Sequence, residues 1–421
     1  MSTMIDKMEV MMRFGFGIWG LALGAMVSVG AVSLGAQEVD GTRFRAPEEG
    51  SWYHPLDPEK WVHVGGVASE IDGVLTRIAD AGQSRTPPDA PDYQGAGSWL
   101  AEWRAAGEKA FKEGRALEVA GDEAAAQRRF RAAVAYFLQA SSPHTDDPAQ
   151  RGALKRAQDS YRALAGLHPL NIEEIEIPFE DRSFKAWLHK PDVDGPVPAV
   201  VVSMGSDVAK EELLPYFEKQ LAIRGIAMLS LDLPGMGTSA EWRASPDLDK
   251  LHVAAINHLR TLPDIDGRNL FLQGASFGGH PVARAWLARP ELDLAGAIFM
   301  CGPVHSALVA PPEVYAHFPQ FTMDGVRTRF GLEPAAGFDK IAAIAETLSL
   351  KRQGLFDGSE IATPMFAIVT NDDPVIPLED LEAMLARGSN VKRVVYDTPG
   401  HCPERDSREA MAASWVVDQL R

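Results

Sequence analysis

Ser276 lies in Gly274-Ala275-Ser276-Phe277-Gly278, a Gly-x-Ser-x-Gly pentapeptide. A serine hydroxyl attacks a carbonyl carbon when a base takes its proton and an acid orients that base. The apolar run at 269–273 reads as a strand and the stretch at 278–288 as a helix. The serine therefore falls on a strand-to-helix turn, the setting of a nucleophile elbow. Such a turn is tight, so side chains at Gly274 and Gly278 would collide with neighbouring elements. The helix that follows points its N-terminus at the serine and favours negative charge developing there. The competing reading is a small residue in a tight turn.

The downstream chain offers the partners. In this type of site the order is serine, acid, histidine. Eleven histidines occur, and only His305, His317 and His401 follow the elbow helix. His401, in "YDTPGHCPERD", occupies a strand-to-helix loop, where a base is expected. In "VTNDDPVIP", Asp373 stands before Pro374-Val375-Ile376-Pro377 and is the first choice of acid, with Asp372 as the alternative. An oxyanion hole needs two backbone N–H donors. Phe277 supplies one as the residue after the nucleophile. Ser206, in the loop "SMGSDVAK", is the candidate for the other, with Gly205 permitting close approach. Asp207 in that loop suits contact with a substrate hydroxyl or proton transfer, or the capping of a helix from Val208 onward. Cys301 and His305 follow a strand and are candidates to line the pocket.

The elements that must hold these residues are readable. Strands are expected at 198–203, 227–232, 269–273, 296–300, 364–370 and 392–396, after an alternating hairpin in "IEEIEIPFED" and "SFKAWLHKP". Helices are expected between them at 211–223, 249–262, 278–288 and 378–386, and the last at 407–420. This is an α/β domain with a mostly parallel sheet, spanning 169–421. Residues 304–362 interrupt the rhythm and are expected to form a lid-like helical insertion. Residues 37–168 form a helical cap region, with one helix at 68–81 and three from 98 to 164. Asp147-Pro148 opens the third of these.

The 421 residues carry a net charge of -17, which argues against a broad nucleic-acid surface. No metal-ligand cluster or glycine-rich phosphate loop is visible, so no metal and no cofactor are expected. The two cysteines, Cys301 and Cys402, read as lone thiols, with Cys402 a bystander beside His401. Residues 1–36 are a hydrophobic leader, uncharged from Phe14 to Gln37 and preceded by Lys7 and Arg13. Ser33 and Gly35 suit cleavage after Gly35, as in a secretory signal. A retained membrane anchor is the alternative. A signal would place the protein in the periplasm or outside the cell; without one it is cytoplasmic. Membrane contact is expected only through this leader.

Several segments carry a family resemblance: "RGIAMLSLDLPGMGTSAEW", "CGPVH", "SLKRQGLFDGSEIATPMF" and "GSWLAEWRAAG". Over roughly residues 50–421 the chain resembles the FrsA-like (fermentation-respiration switch protein) group of α/β-hydrolases. That group is related to the fungal yellowish-green pigment hydrolases and to bacterial hydrolases that cut a C–C bond beside a ketone. The resemblance implies an α/β-hydrolase fold with an eight-stranded, mostly parallel sheet, an N-terminal helical cap and a homodimer. It carries a triad onto Ser276, Asp373 and His401, and the carbonyl-loop acid of the C–C hydrolases onto Asp207. Some switch-type members lack the elbow serine or a downstream histidine; this chain has both. The expectation is a serine hydrolase that forms an acyl-enzyme from an ester or a ketone-adjacent C–C bond. A non-catalytic regulatory or binding protein of the switch type is the rival.

Overall fold

The computed structural model describes residues 52–420. The leader and its cleavage site lie outside these residues. Among the described residues no helix is long and apolar enough to cross a membrane.

Among the described residues, five helices precede the sheet. α1 (Pro58–Val64) has no counterpart in the sequence reading, since seven residues are too few to display a period. Asp57 caps it by accepting from the Lys60 N–H, and Pro58 takes the first turn. α2 (Ala68–Asp80) buries Ile71, Val74, Leu75 and Ile78, one helical stripe. α3 (Trp99–Val119), α4 (Glu123–Ser141) and α5 (Pro148–Leu167) are capped by Ser98, Asp122 and Asp147. Trp61, Trp99, Trp103 and Tyr136 cluster between them, with ring centroids 5.3–5.9 Å apart.

The eight strands are β1 (Asn171–Phe179), β2 (Arg182–Lys190), β3 (Val197–Ser203), β4 (Ala227–Ser230), β5 (Ile265–Ala275), β6 (Gly296–Met300), β7 (Met365–Thr370) and β8 (Val391–Tyr396). They form one sheet in the order β1-β2-β4-β3-β5-β6-β7-β8. β1 pairs antiparallel with β2, Asn171 opposite Lys190, and β2 antiparallel with β4. All other pairings are parallel, so β3, β5, β6, β7 and β8 end along one edge. Their connections include α6 (Lys250–Leu259) and α7 (Gly279–Ala288). Between β6 and β7 lie α8 (Gln320–Arg329) and α9 (Phe338–Leu348). α10 (Leu378–Leu385) and α11 (Arg405–Asp418) complete the chain. β7 is buried along its whole length, whereas β8 at the sheet's edge exposes Lys392 and Arg393. Charges there discourage pairing with another chain.

The helix expected at 211–223 is instead a run of short turns: 3₁₀ at Lys210–Leu213, α at Leu214–Tyr216, π at Phe217–Leu221 and 3₁₀ at Ala222–Arg224. Pro215 removes a donor from the run. Side chains reinforce its start beside the Glu212 N–H bond to the Ala209 carbonyl at 3.0 Å. The Lys210 N–H donates to Asp232, and the Ala209 N–H donates to Glu212. Lys210 Nζ, fully buried, reaches Asp232 at 2.7 Å and Glu211 at 3.0 Å. Burial works against the Asp232 charge, but Lys210 outweighs it and holds that carboxyl below its usual range. Glu211, buried beside both, is pushed up.

The helical region is clamped to the sheet domain through Glu218. Burial opposes its charge, but donors from His168 at 2.9 Å and Arg131 at 2.8 Å bring its carboxyl down to about 2. The Tyr161 hydroxyl and His189 Nε2, both buried, hydrogen-bond at 2.7 Å.

Candidate active site

β5 ends at Ala275, and Ser276 follows with φ 52°, a left-handed conformation unusual for a serine. Close packing of backbone leaves no room for side chains on either side of it. A Cβ on Gly274 would lie 2.0 Å from the Gly278 carbonyl oxygen, and one on Gly278 would lie 2.4 Å from that of Met204. The glycines of the pentapeptide are thus a steric requirement of the turn. α7 then starts at Gly279, immediately beyond the serine.

The other two side chains come from loops after β7 and β8. Ser276 Oγ and His401 Nε2 are 2.8 Å apart. His401 Nδ1 lies 2.9 and 3.0 Å from the two Asp373 carboxylate oxygens. Asp373 is 3% exposed and also accepts the Val375 N–H at 2.9 Å and the Cys402 N–H at 3.1 Å. A carboxylate held this way accepts from Nδ1–H, which leaves the Nε2 lone pair facing the serine hydroxyl. Asp372, the alternative acid, faces solvent and accepts the Gly400 N–H at 3.2 Å. It braces the histidine loop without touching the ring, as does Thr370, whose hydroxyl donates to the Gly400 carbonyl at 2.6 Å.

The loop after β3 crosses this turn. A Cβ on Gly205 would lie 3.2 Å from Ser276 Cβ, so the backbone passes directly beside the serine. Ser206 and Phe277 line one cavity with Ser276. The Ser206 hydroxyl donates to Asp207 at 3.2 Å. The cavity holds about 150 Å³ and is walled by Leu308, Tyr315, Phe318, Met323, Val326 and Phe330. These residues belong to the segment between β6 and β7. That segment has its own small apolar core around Leu308, Val314, Ile341 and Leu348, against which Phe277 packs. His280 in α7 is buried and bonded through Nε2 to the Leu348 carbonyl at 2.7 Å, and burial pushes its pKa down to about 4. Two larger grooves, of about 700 and 840 Å³, meet at Thr145 and Asp146, but neither contains Ser276.

Four expectations need correction. Cys301 and Cys402 are not lone thiols: they form a disulfide across 101 residues, with Cα atoms 5.3 Å apart. The bond ties the end of β6 to the residue after His401, so Cys402 is part of what holds the histidine loop. Cys301 is fully buried in that bond and does not line the cavity. His305 does not line it either; its Nδ1 pairs with the Ser349 hydroxyl at 2.8 Å. Donor atoms of Cys301, Asp373, His401 and Cys402 lie within 4.8 Å of one another. The sulfurs are bonded together and the His401–Asp373 pair is hydrogen-bonded, so this set is already engaged and does not fit a metal ion.

Among the described residues, the one charged residue lining this cavity escaped the sequence reading. Arg329 ends α8 with its side chain 2% exposed. An arginine at a helix C-terminus ordinarily reads as a solvent-facing charge near the dipole's negative end, so its sequence position carried no signal.

A profile of the family described as "Esterase FrsA-like" matches residues 33–421. The "Esterase FrsA" of Vibrio cholerae serotype O1 is 31% identical over 378 residues, covering 88% of each chain. That of Photobacterium profundum is 29% identical over 378 residues, covering 88% of this chain and 89% of the relative. Among solved structures, 2,6-dihydroxy-pseudo-oxynicotine hydrolase superposes with a TM-score of 0.68 at 19% identity, covering 86% of this chain and 96% of its own. That likeness shows the fold, the α/β-hydrolase fold.

Proposed function

The chain belongs to the FrsA-like esterase family, and from that premise we propose that it is a serine hydrolase cleaving esters through an acyl-enzyme. The observation that carries this reading is the unbroken chain of contacts Ser276–His401–Asp373 at 2.8 and 2.9 Å, on a serine with φ 52°. His401 Nε2 takes the Ser276 proton as Oγ bonds to the carbonyl carbon. The carbonyl oxygen becomes an oxyanion, held by the Phe277 and Ser206 N–H groups and favoured by the N-terminus of α7. The tetrahedral adduct collapses, and the alkoxide leaves with the proton from His401. Water repeats the sequence and releases the acid. Asp373 orients the imidazole and stabilises its cationic form.

The test is Ser276→Ala assayed on short p-nitrophenyl esters. A loss of at least about 10⁴-fold in kcat is expected, and unchanged turnover would refute the nucleophile.

Asp207 beside the oxyanion loop favours a second reading, cleavage of a C–C bond next to a ketone. Ser276 would take the acyl group, and the leaving enolate would be protonated on carbon by His401. The products decide: an alcohol from an ester, a ketone from a diketone.

The disulfide supports export as the role of the leader, because such bonds persist in oxidising compartments. N-terminal sequencing of the mature protein checks this: cleavage after Gly35 is expected, and an intact leader would contradict it.

A further inference from the structure

We propose that Arg329 is a substrate-reading residue, and that the acyl chain bound beside Ser276 carries a carboxylate. This rests on the esterase reading above and names its substrate class. Arg329 and Ser276 line the same cavity, whose other walls are almost wholly apolar. The guanidinium is buried, and its Nε and Nη1 atoms have no hydrogen-bond partner among the described residues. Its Nη2 lies 3.8 Å from the Met236 sulfur and 3.6 Å from Asp207, the latter beyond hydrogen-bond length. Asp207 is 37% exposed and already accepts from Ser206, so it offsets the buried charge only in part. His144, another neighbour, contributes no charge: burial, then Arg329 itself, pushes its pKa down to about 3.

A buried cation with open donors is unfavourable unless something completes its shell. The protein also makes room for the group. A Cβ on Gly325, one turn back in α8, would lie 2.5 Å from Arg329 Nη1. Structural arginines in a core are normally saturated by carboxylates or carbonyls. This one keeps two nitrogens unpaired, and the residue forms part of the wall of a cavity that contains the attacking serine. A carboxylate matches a guanidinium in charge and planar geometry and supplies the missing acceptors.

The experiment compares p-nitrophenyl hemiglutarate with p-nitrophenyl valerate, close in length and differing in the terminal carboxylate. The wild-type enzyme is expected to favour the hemiester by about 10- to 100-fold in kcat/KM, the range for a charge-assisted hydrogen bond, mostly through KM. Arg329→Gln should bring the ratio near one, and Arg329→Lys should restore part of it. No preference in the wild-type enzyme, or an unchanged ratio in Arg329→Gln, overturns the proposal. A binding measurement separates this from failure of the nucleophile. Folded Ser276→Ala should be stabilised against heat by monomethyl glutarate more than by methyl valerate. Equal shifts overturn the Arg329 subsite whatever the variant's turnover.

Discussion

At the carboxyl edge of the sheet, both oxygens of Asp373 have donors and His401 bridges to Ser276. In the segment between β6 and β7, Arg329 is buried with two nitrogens unpaired. Both regions face one cavity. The first is complete without a ligand and the second is not. In the reading proposed above, the difference separates chemistry, which the fold can finish in advance, from recognition, which waits for the substrate.

The contrast breaks most sharply at Asp373. Asp373→Asn should lower kcat by about 10⁴-fold, because the amide favours the wrong imidazole tautomer. Asp372→Asn, at a carboxylate that accepts the Gly400 N–H, should cost less than about 10-fold. Comparable losses from the two would mean that the acid has been misplaced. The loop after β3 is followed at its far end by the buried Lys210, paired with Asp232 and Glu211. Lys210→Met leaves uncompensated charge there and should destabilise by about 3–5 kcal/mol in urea unfolding. A next smaller effect belongs to the disulfide. Replacing Cys301 and Cys402 together by alanine should cost about 2–4 kcal/mol and loosen the loop that carries His401.

The smallest effect sharpens the comparison from outside the cavity. Burial pushes the Glu409 carboxyl in α11 up to about 7 from 4.5, with Arg408 opposing. Between those values the folded chain holds a proton that the unfolded chain has released. Stability from this group is therefore full below about pH 4.5 and falls as pH rises through about 7. Glu409→Gln should flatten that decline and add about 1–3 kcal/mol at pH 8, measured by thermal unfolding at pH 5 and pH 8. An unchanged pH profile would show that another group controls it.

The sheet edge was legible in sequence because every constraint there is local. Gly274, Ser276 and Gly278 sit within one turn, and Asp373 and His401 each follow a strand, fully buried before the first and at the sheet's edge before the second. All eight strands were visible too, six as short runs and the first two by their alternation. The rest depends on contacts between distant residues. Cys301 and Cys402 meet only because β6, β7 and β8 lie side by side, and nothing in their spacing announces it. The run from Lys210 to Arg224 reads as a helix until the buried carboxylates that capture its first turn are known. Arg329 and Ser276 are joined only through the cavity, which no spacing encodes.

The central claim is that Ser276 is the group that becomes acylated. The most direct measurement is covalent labelling of the folded protein with a fluorophosphonate, followed by peptide mapping. One adduct on Ser276, lost in His401→Ala, is expected. A folded wild-type protein that remains unlabelled, or carries its adduct on another residue, would contradict it.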